Sequence, residues 1–303
     1  NDDYVDTNSS HDWRYDTVPS LGKHSNNSLF LSGTIEGNAT VTAFSSPDNS
    51  FTAFSQLFAS AQYNLDICVY QFTSYWILQD VFSALDRGVH VRLLVEGESV
   101  GGTVDKQGDL ASEIVYIAEE IESKENGSVK WVSQDYMNYY HSKYFIIDNN
   151  TVIISTENFK YTGIPKDPSA GNRGWGIAVN NTEIAKKYLN VYNFDWGLAN
   201  NFSYYDLVSP KKNDKVLEGN YKPIFDEPQT YEVSNTYFQT VVGPDETIDV
   251  VVDLINKAQD KIYAELFYLY PTWDTYYGGK NNNPLMNGLI DAAKRDVMDQ
   301  VIL

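Results

Sequence analysis

Short apolar runs recur along the chain, and several of them follow stretches whose apolar positions repeat with helical period. The segment PDNSFTAFSQLFASAQYNLDICVYQF, from Pro47, reads as a helix followed by a buried strand. ALDRGVHVRLLV, from Ala84, reads as the end of a second helix and a second strand. The pattern then returns. PDETIDVVVDLINKAQDKIYAELFYL, from Pro244, aligns with the first segment without a gap at an offset of 197, which superposes Pro47 on Pro244, Leu57 on Leu254 and Ala61 on Ala258. AAKRDVMDQVIL, from Ala292, matches the stretch from Ala84 at an offset of 208, the extra residues falling in the loop YPTWDTYYGGKNNN. Repeated β-α-β units with buried Val, Ile and Leu strands predict an α/β sheet covered by helices.

Strand periodicity of another kind marks HSKYFIIDNNTVIISTEN, residues 141–158. Two apolar runs flank Asn149-Asn150, and Asn tolerates the left-handed backbone of a two-residue hairpin turn. The register so predicted pairs Asp148 with Thr151, Lys143 with Thr156 and His141 with Asn158. Alternate residues of a strand share a face, so His141, Lys143, Thr156 and Asn158 are expected on the face that carries Phe145, Ile147, Val152 and Ile154. Asp148 has the opposite parity and reads as a structural carboxylate.

Composition narrows the classes. With 303 residues and 42% hydrophobic content the chain supports real cores, although its acidic start and polar run to Ser28 read as a loose extension. The formal charge of -19 disfavours binding to a polyanion unless a local basic patch overrides it. A single cysteine, Cys68, excludes an internal disulfide framework and reads as a small buried hydrophobe. Asn-x-Ser/Thr sequons begin at Asn8, Asn26, Asn38, Asn126, Asn149, Asn180 and Asn201, which points to an exported, extracellular or cell-surface glycoprotein. No run is long and apolar enough to span a membrane.

His141-x-Lys143-x4-Asp148, followed by Ser155-Thr156-Glu157-Asn158, resembles the HxKxxxxD motif of the phospholipase D superfamily, whose tail usually reads Gly-Ser-x-Asn. Ser155 replaces the usual Gly and Thr156 the usual Ser. The resemblance covers the chain from about Val41 onward and implies a phospholipase D-like mixed sheet flanked by helices, built as two pseudo-repeated halves whose motifs meet at one site. It implies a covalent phosphohistidine at His141, with Lys143, Thr156 and Asn158 holding phosphate oxygens, no metal and no cofactor. Many members also carry a Glu, in an Asn-x-Glu context, that orients the nucleophilic His. The matching stretch is Asn172-Arg173-Gly174, with Gly at that place, and Glu157 has the wrong parity on the predicted register, so the orienting carboxylate is unassigned.

The domain organisation expected is a polar extension over 1–40, a first half with the motif over 41–206, a linker over 207–236 and the start of an incomplete second half over 237–303. A second His-x-Lys is expected near position 349, from 141 plus the offset of 208; otherwise a partner chain supplies the second half-site. The partner expected is a phospholipid or small phosphodiester, with membrane-surface contact and without nucleic acid. The reading is a phosphodiesterase or phosphatidyl transferase that is a poor enzyme as this chain alone. The alternatives are a nuclease of the same superfamily or a catalytically degenerate exported binding module. Among weaker signals, residues 97–102 read as a plain glycine loop, Arg173 as a phosphate contact or a stack on Trp175, the aromatic loop 268–279 as packed on the core, and His11, His24 and His90 as surface residues. GxSxG, HExxH, P-loop and zinc patterns are absent.

Overall fold

The computed structural model describes residues 29–96, 112–132, 140–201, 210–266, 268–274 and 280–302. The chain divides into a larger unit, Glu36–Gln134 with Tyr139–Tyr237, and a smaller one built chiefly from Phe238 onward. In chain order the larger unit contains β1 (Gly33–Ser46), α1 (Ser50–Ser60), β2 (Asn64–Val69), α2 (Tyr75–Asp86), β3 (His90–Val95), α3 (Ser112–Glu122) and β4 (Gly127–Trp131). There follow β5 (Lys143–Ile147), β6 (Thr151–Ser155), β7 (Gly174–Asn180), α4 (Thr182–Leu198), β8 (Asn200–Asn201) and β9 (Gln229–Thr240).

The nine strands form one sheet in the order β8-β4-β3-β2-β5-β6-β7-β1-β9. β2, β3 and β4 run parallel, joined by α2 and α3, whereas β2 meets β5 antiparallel and the ladder continues antiparallel through β6 and β7 to β1. This is the mixed α/β sheet expected. The central strands are buried on both faces, which explains why β2 and β3 read as continuous apolar runs rather than alternating ones. Leu65, Ile67, Leu93, Phe145 and Ile153 join the apolar faces of α1, α2 and α3 in the main core. An aromatic cluster anchors this core near the functional strand ends: Phe54 meets Phe44, Phe58, Phe145 and Phe159 edge to face, and Phe145 stacks on Phe159 at 4.7 Å. Opposite-parity residues meet α4, where Tyr144 packs on Tyr188 and Tyr192, and the Asp66–Arg92 pair at 2.6 Å lies under Tyr192. Cys68 is buried and free.

The smaller unit contains α5 (Thr247–Lys257), β10 (Lys261–Glu265), β11 (Thr272–Asp274), β12 (Lys280–Asn282), α6 (Pro284–Lys294) and β13 (Met298–Ile302). β10 and β13 pair in parallel with Lys261 opposite Met298, just as β2 and β3 pair with Asn64 opposite His90. The smaller unit runs α5, β10, β11, β12, α6, β13, with α5 followed by β10 and α6 by β13. Among the described residues no helix is long and apolar enough to cross a membrane.

Candidate active site

The hairpin of β5 and β6 forms, with a register one residue away from the expected one. Ile147 pairs with Thr151 and Tyr144 with Ile154, leaving Asp148, Asn149 and Asn150 as a three-residue loop. Asp148 and Asn149 both take left-handed backbone, φ 49 and 57, and the Asn150 N–H donates to the Ile147 carbonyl at 3.0 Å. The two central turn residues are therefore Asp148-Asn149, not Asn149-Asn150. The reason is tertiary. The Asp148 carboxylate accepts the backbone N–H groups of Gln62, Tyr63 and Asn64 at 2.9, 2.7 and 2.9 Å, which draws it out of the strand and onto the turn between α1 and β2.

One residue of slip exchanges the faces of β6. Thr151, Ile153 and Ser155 now accompany Lys143, Phe145 and Ile147, while Val152 and Ile154 lie on the other face and Ile154 is 38% exposed. The register carried outward sets Lys143 across from Ser155 and His141 across from Glu157, correcting the predicted pairings with Thr156 and Asn158. Thr156 is exposed and ties β6 to β7: its backbone N–H donates to the Trp175 carbonyl at 3.0 Å and its Oγ1 accepts the Trp175 N–H at 2.9 Å. Asn158 is half-buried, with Oδ1 accepting the Gln71 N–H at 3.2 Å.

Lys143 opens β5 opposite Val69, the last residue of β2. It is buried, and its Nζ donates to the His141 carbonyl at 2.6 Å and lies 5.3 Å from the centre of the Tyr70 ring. Burial pushes its ammonium down to about 7, against the pull of negative charge at Cys68 and Glu157. Burial also raises the Cys68 thiol well above its ordinary value, so near neutrality Glu157 is the anion that counts. His141 is exposed, and its ring meets Tyr70 edge-on with centres 4.6 Å apart.

Sequence reasoning set Glu157 aside on parity and did not single out Tyr70. Glu157 Oε2 accepts from the Asn172 amide at 3.1 Å, and burial raises its carboxyl against the lowering effects of Asn172 and Lys143. Its side chain fills the room left by a glycine: a Cβ at Gly174 would overlap Glu157 Cγ and lie 2.6 Å from Oε1. The carboxylate missing at residue 174 is thus matched by one that enters the same space from residue 157. Tyr70 was visible only as the residue after a buried strand; its role depends on β2 neighbouring β5.

The Arg173 guanidinium lies over the Tyr221 ring, 5.3 Å from its centre. It donates to the Ser46 carbonyl, Asp48 and Tyr221 at 3.1, 3.0 and 2.6 Å, and so braces the turn into α1. Burial of Asp48 opposes ionisation, but backbone N–H groups of Ile224 and Phe225, with Tyr221 and Arg173, hold its carboxyl below the ordinary range. Residues 97–102, His11 and His24 lie outside the described residues, and His90 is exposed. Tyr268 and Tyr270 are about half exposed and stack on each other at 5.7 Å, rather than packing into a core. Among the described residues, no group of three or more His, Cys, Asp or Glu side chains has metal-holding geometry.

The helix-flanked mixed sheet with its His-x-Lys strand end lies within a phospholipase D-like domain. In particular, residues 54–196 match the family described as "Cardiolipin synthase, PLD-like domain". Among solved structures, a phospholipase D family member, Nuc from Salmonella typhimurium, is similar at 20% identity over 55% of this chain and 99% of that one, with a TM-score of 0.45. NucT from Helicobacter pylori is similar at 18% identity over 54% and 99%, with a TM-score of 0.44. Phosphatidylserine synthase from Haemophilus influenzae is similar at 14% identity over 54% and 40%, with a TM-score of 0.43. No curated protein matches the chain.

Proposed function

We propose that the protein is a phospholipase D-like phosphodiesterase or phosphatidyl transferase that works through a covalent phosphohistidine at His141. The observation that carries this reading is the pairing of an exposed imidazole at residue 141 with a buried lysine two residues on, whose ammonium lies against the His141 carbonyl at the start of β5. The imidazole lone pair attacks phosphorus; a P–N bond forms as the P–O bond to the leaving alcohol breaks, and the departing oxygen takes a proton from an acid of a second half-site. Water, or an acceptor alcohol, then attacks phosphorus, gives its proton to that same group, and the P–N bond breaks. The Lys143 ammonium holds a non-bridging oxygen, and Asn158, with Oδ1 engaged by Gln71, keeps its amide nitrogen as a donor for another. The phosphodiester monoanion beside Lys143 raises its proton affinity, so substrate binding charges a lysine that burial tends to neutralise. The second half-site comes from a following repeat or a partner chain. Cleavage of bis(p-nitrophenyl) phosphate or a short-chain phospholipid, with mass spectrometry of the protein quenched in alkali, tests the reading. The expected result is a phosphoryl adduct on His141 that His141→Ala abolishes together with turnover, in an unchanged fold. Turnover that survives His141→Ala overturns it.

A further inference from the structure

Residues 210–225, expected from their prolines to be a linker, are laid across the end of the sheet that carries His141 and Lys143. The Tyr75 N–H and the Trp76 Nε1, in the first turn of α2, donate to the carbonyls of Asn213 and Asp214, both at 3.0 Å. The Tyr221 N–H donates to the Ser169 carbonyl at 2.9 Å, and the Ile224 and Phe225 N–H groups donate to Asp48 at 2.9 and 3.1 Å. Asp48 precedes α1 and follows the end of β1, while α2 follows the end of β2, where Lys143 begins β5. The N–H groups of Thr73 and Ser74, just before the α2 turn on which the strap rests, donate to the Phe159 carbonyl, both at 2.9 Å, so that turn adjoins the residue next to Asn158.

Within the strap the local charge is opposite in sign to that of the chain, up to Asp226 and Glu227 that follow it. Four lysines stand against two acidic residues within residues 210–225, in a chain of net charge -19. One of the two, Asp214, is already paired with Lys212 at 3.1 Å. The ammonium groups sit over aromatic faces: Lys212 over Tyr75 at 3.8 Å, Lys215 over Tyr161 at 4.4 Å, and Lys166 of the neighbouring loop over Trp76 at 3.2 Å. Beside them the strap exposes aliphatic and aromatic surface, with Val216, Ile224 and Phe225 exposed by 38, 71 and 47%. Cations interleaved with outward apolar side chains suit the boundary between anionic head groups and acyl chains. Single-stranded nucleic acid fits less well, because the aromatic faces on which bases would stack are capped by lysines.

We propose that residues 210–225, with Lys166, form a docking surface for an anionic lipid membrane, placed to present a head-group phosphodiester to the His141 site. The inference rests on the phosphodiesterase reading for its purpose, but its test is separate. The protein is sedimented with vesicles of phosphatidylcholine mixed with phosphatidylglycerol, with vesicles of phosphatidylcholine alone, and assayed for shift of single-stranded DNA. Binding to the mixed vesicles that falls steeply with salt is expected. Lys166→Glu, Lys212→Glu and Lys215→Glu together should weaken it by about a hundredfold or more, and Ile224→Ser with Phe225→Ser should weaken what remains at high salt. The same variants should turn over a soluble phosphodiester at the unaltered rate, and His141→Ala should bind vesicles normally, so failure of docking and failure of the chemistry are told apart. Equal binding to both vesicle types, no effect of the lysine variants, or DNA binding stronger than vesicle binding would overturn the proposal.

Discussion

The most consequential single side chain is Lys143, because its burial sets a cost that varies with pH. Its ammonium is pushed from 10.5 to about 7 in the folded protein. Between those values the unfolded chain binds more protons than the folded one, so stability rises with pH across that window. Below about 7 both states carry the proton and the full cost of a buried charge is felt; above about 10.5 neither does. Lys143→Met should accordingly stabilise the fold by up to about 4 kcal/mol below that lower limit, and by nearly nothing at the upper one. Urea denaturation at about pH 6, 8 and 10 measures this, and a constant difference across the series would refute it. The motif at His141 and Lys143 was legible because the spacing of chemistry-bearing residues survives in sequence. Glu157 was not, since nothing local records that Gly174 leaves room for it. Gly174→Ala should destabilise the protein, and the penalty should shrink in a Glu157→Ala background. A double-mutant cycle should give a coupling of about 1–3 kcal/mol, and strictly additive effects would deny the packing relation.

At the scale of elements, the two strands of the hairpin were plain in the sequence and their register was not. Asn149-Asn150 and Asp148-Asn149 are both acceptable left-handed pairs locally, and the choice falls to three backbone N–H groups some 85 residues earlier in the chain. A local reading places Asp148 in the strand and gives β6 the wrong face; the structure takes Asp148 as an anchor and so brings Glu157 round to the side of Lys143. Helices and buried strands were legible for the opposite reason: α1 and β2 declare themselves by apolar period and length alone. Asp148→Ala should leave the N–H groups of Gln62, Tyr63 and Asn64 without their acceptor and cost about 2–3 kcal/mol. It should also loosen the hairpin, visible as faster hydrogen exchange at the amides of β5 and β6. Native exchange in those strands, despite the lost stability, would show that the register is held by packing alone.

For the molecule as a whole, the parallel pairs β2–β3 and β10–β13 differ sharply in burial. β2 is buried almost throughout and is flanked by β3 and β5. By contrast, β10 pairs with β13 alone among the described residues and alternates exposed and half-buried positions; Tyr263 on β10 and Val301 and Ile302 on β13 stand out by 66, 36 and 65%. The unpaired edge of an apolar strand is a template for another chain, and the exposed side chains supply the apolar area that would make pairing favourable. Opposing this, the charge of -19 makes copies repel one another, an effect that salt screens. The 303-residue chain should therefore self-associate, and more so as salt rises, the reverse of the salt response expected of its lysine strap. Size-exclusion chromatography with light scattering should give a mass above 34.3 kDa that grows with protein concentration. Tyr263→Lys together with Ile302→Lys should return it toward the single-chain value, since charge on an edge strand blocks edge-to-edge pairing. A mass of 34.3 kDa at every concentration and salt would mean that this edge is satisfied within the chain, and would remove the argument.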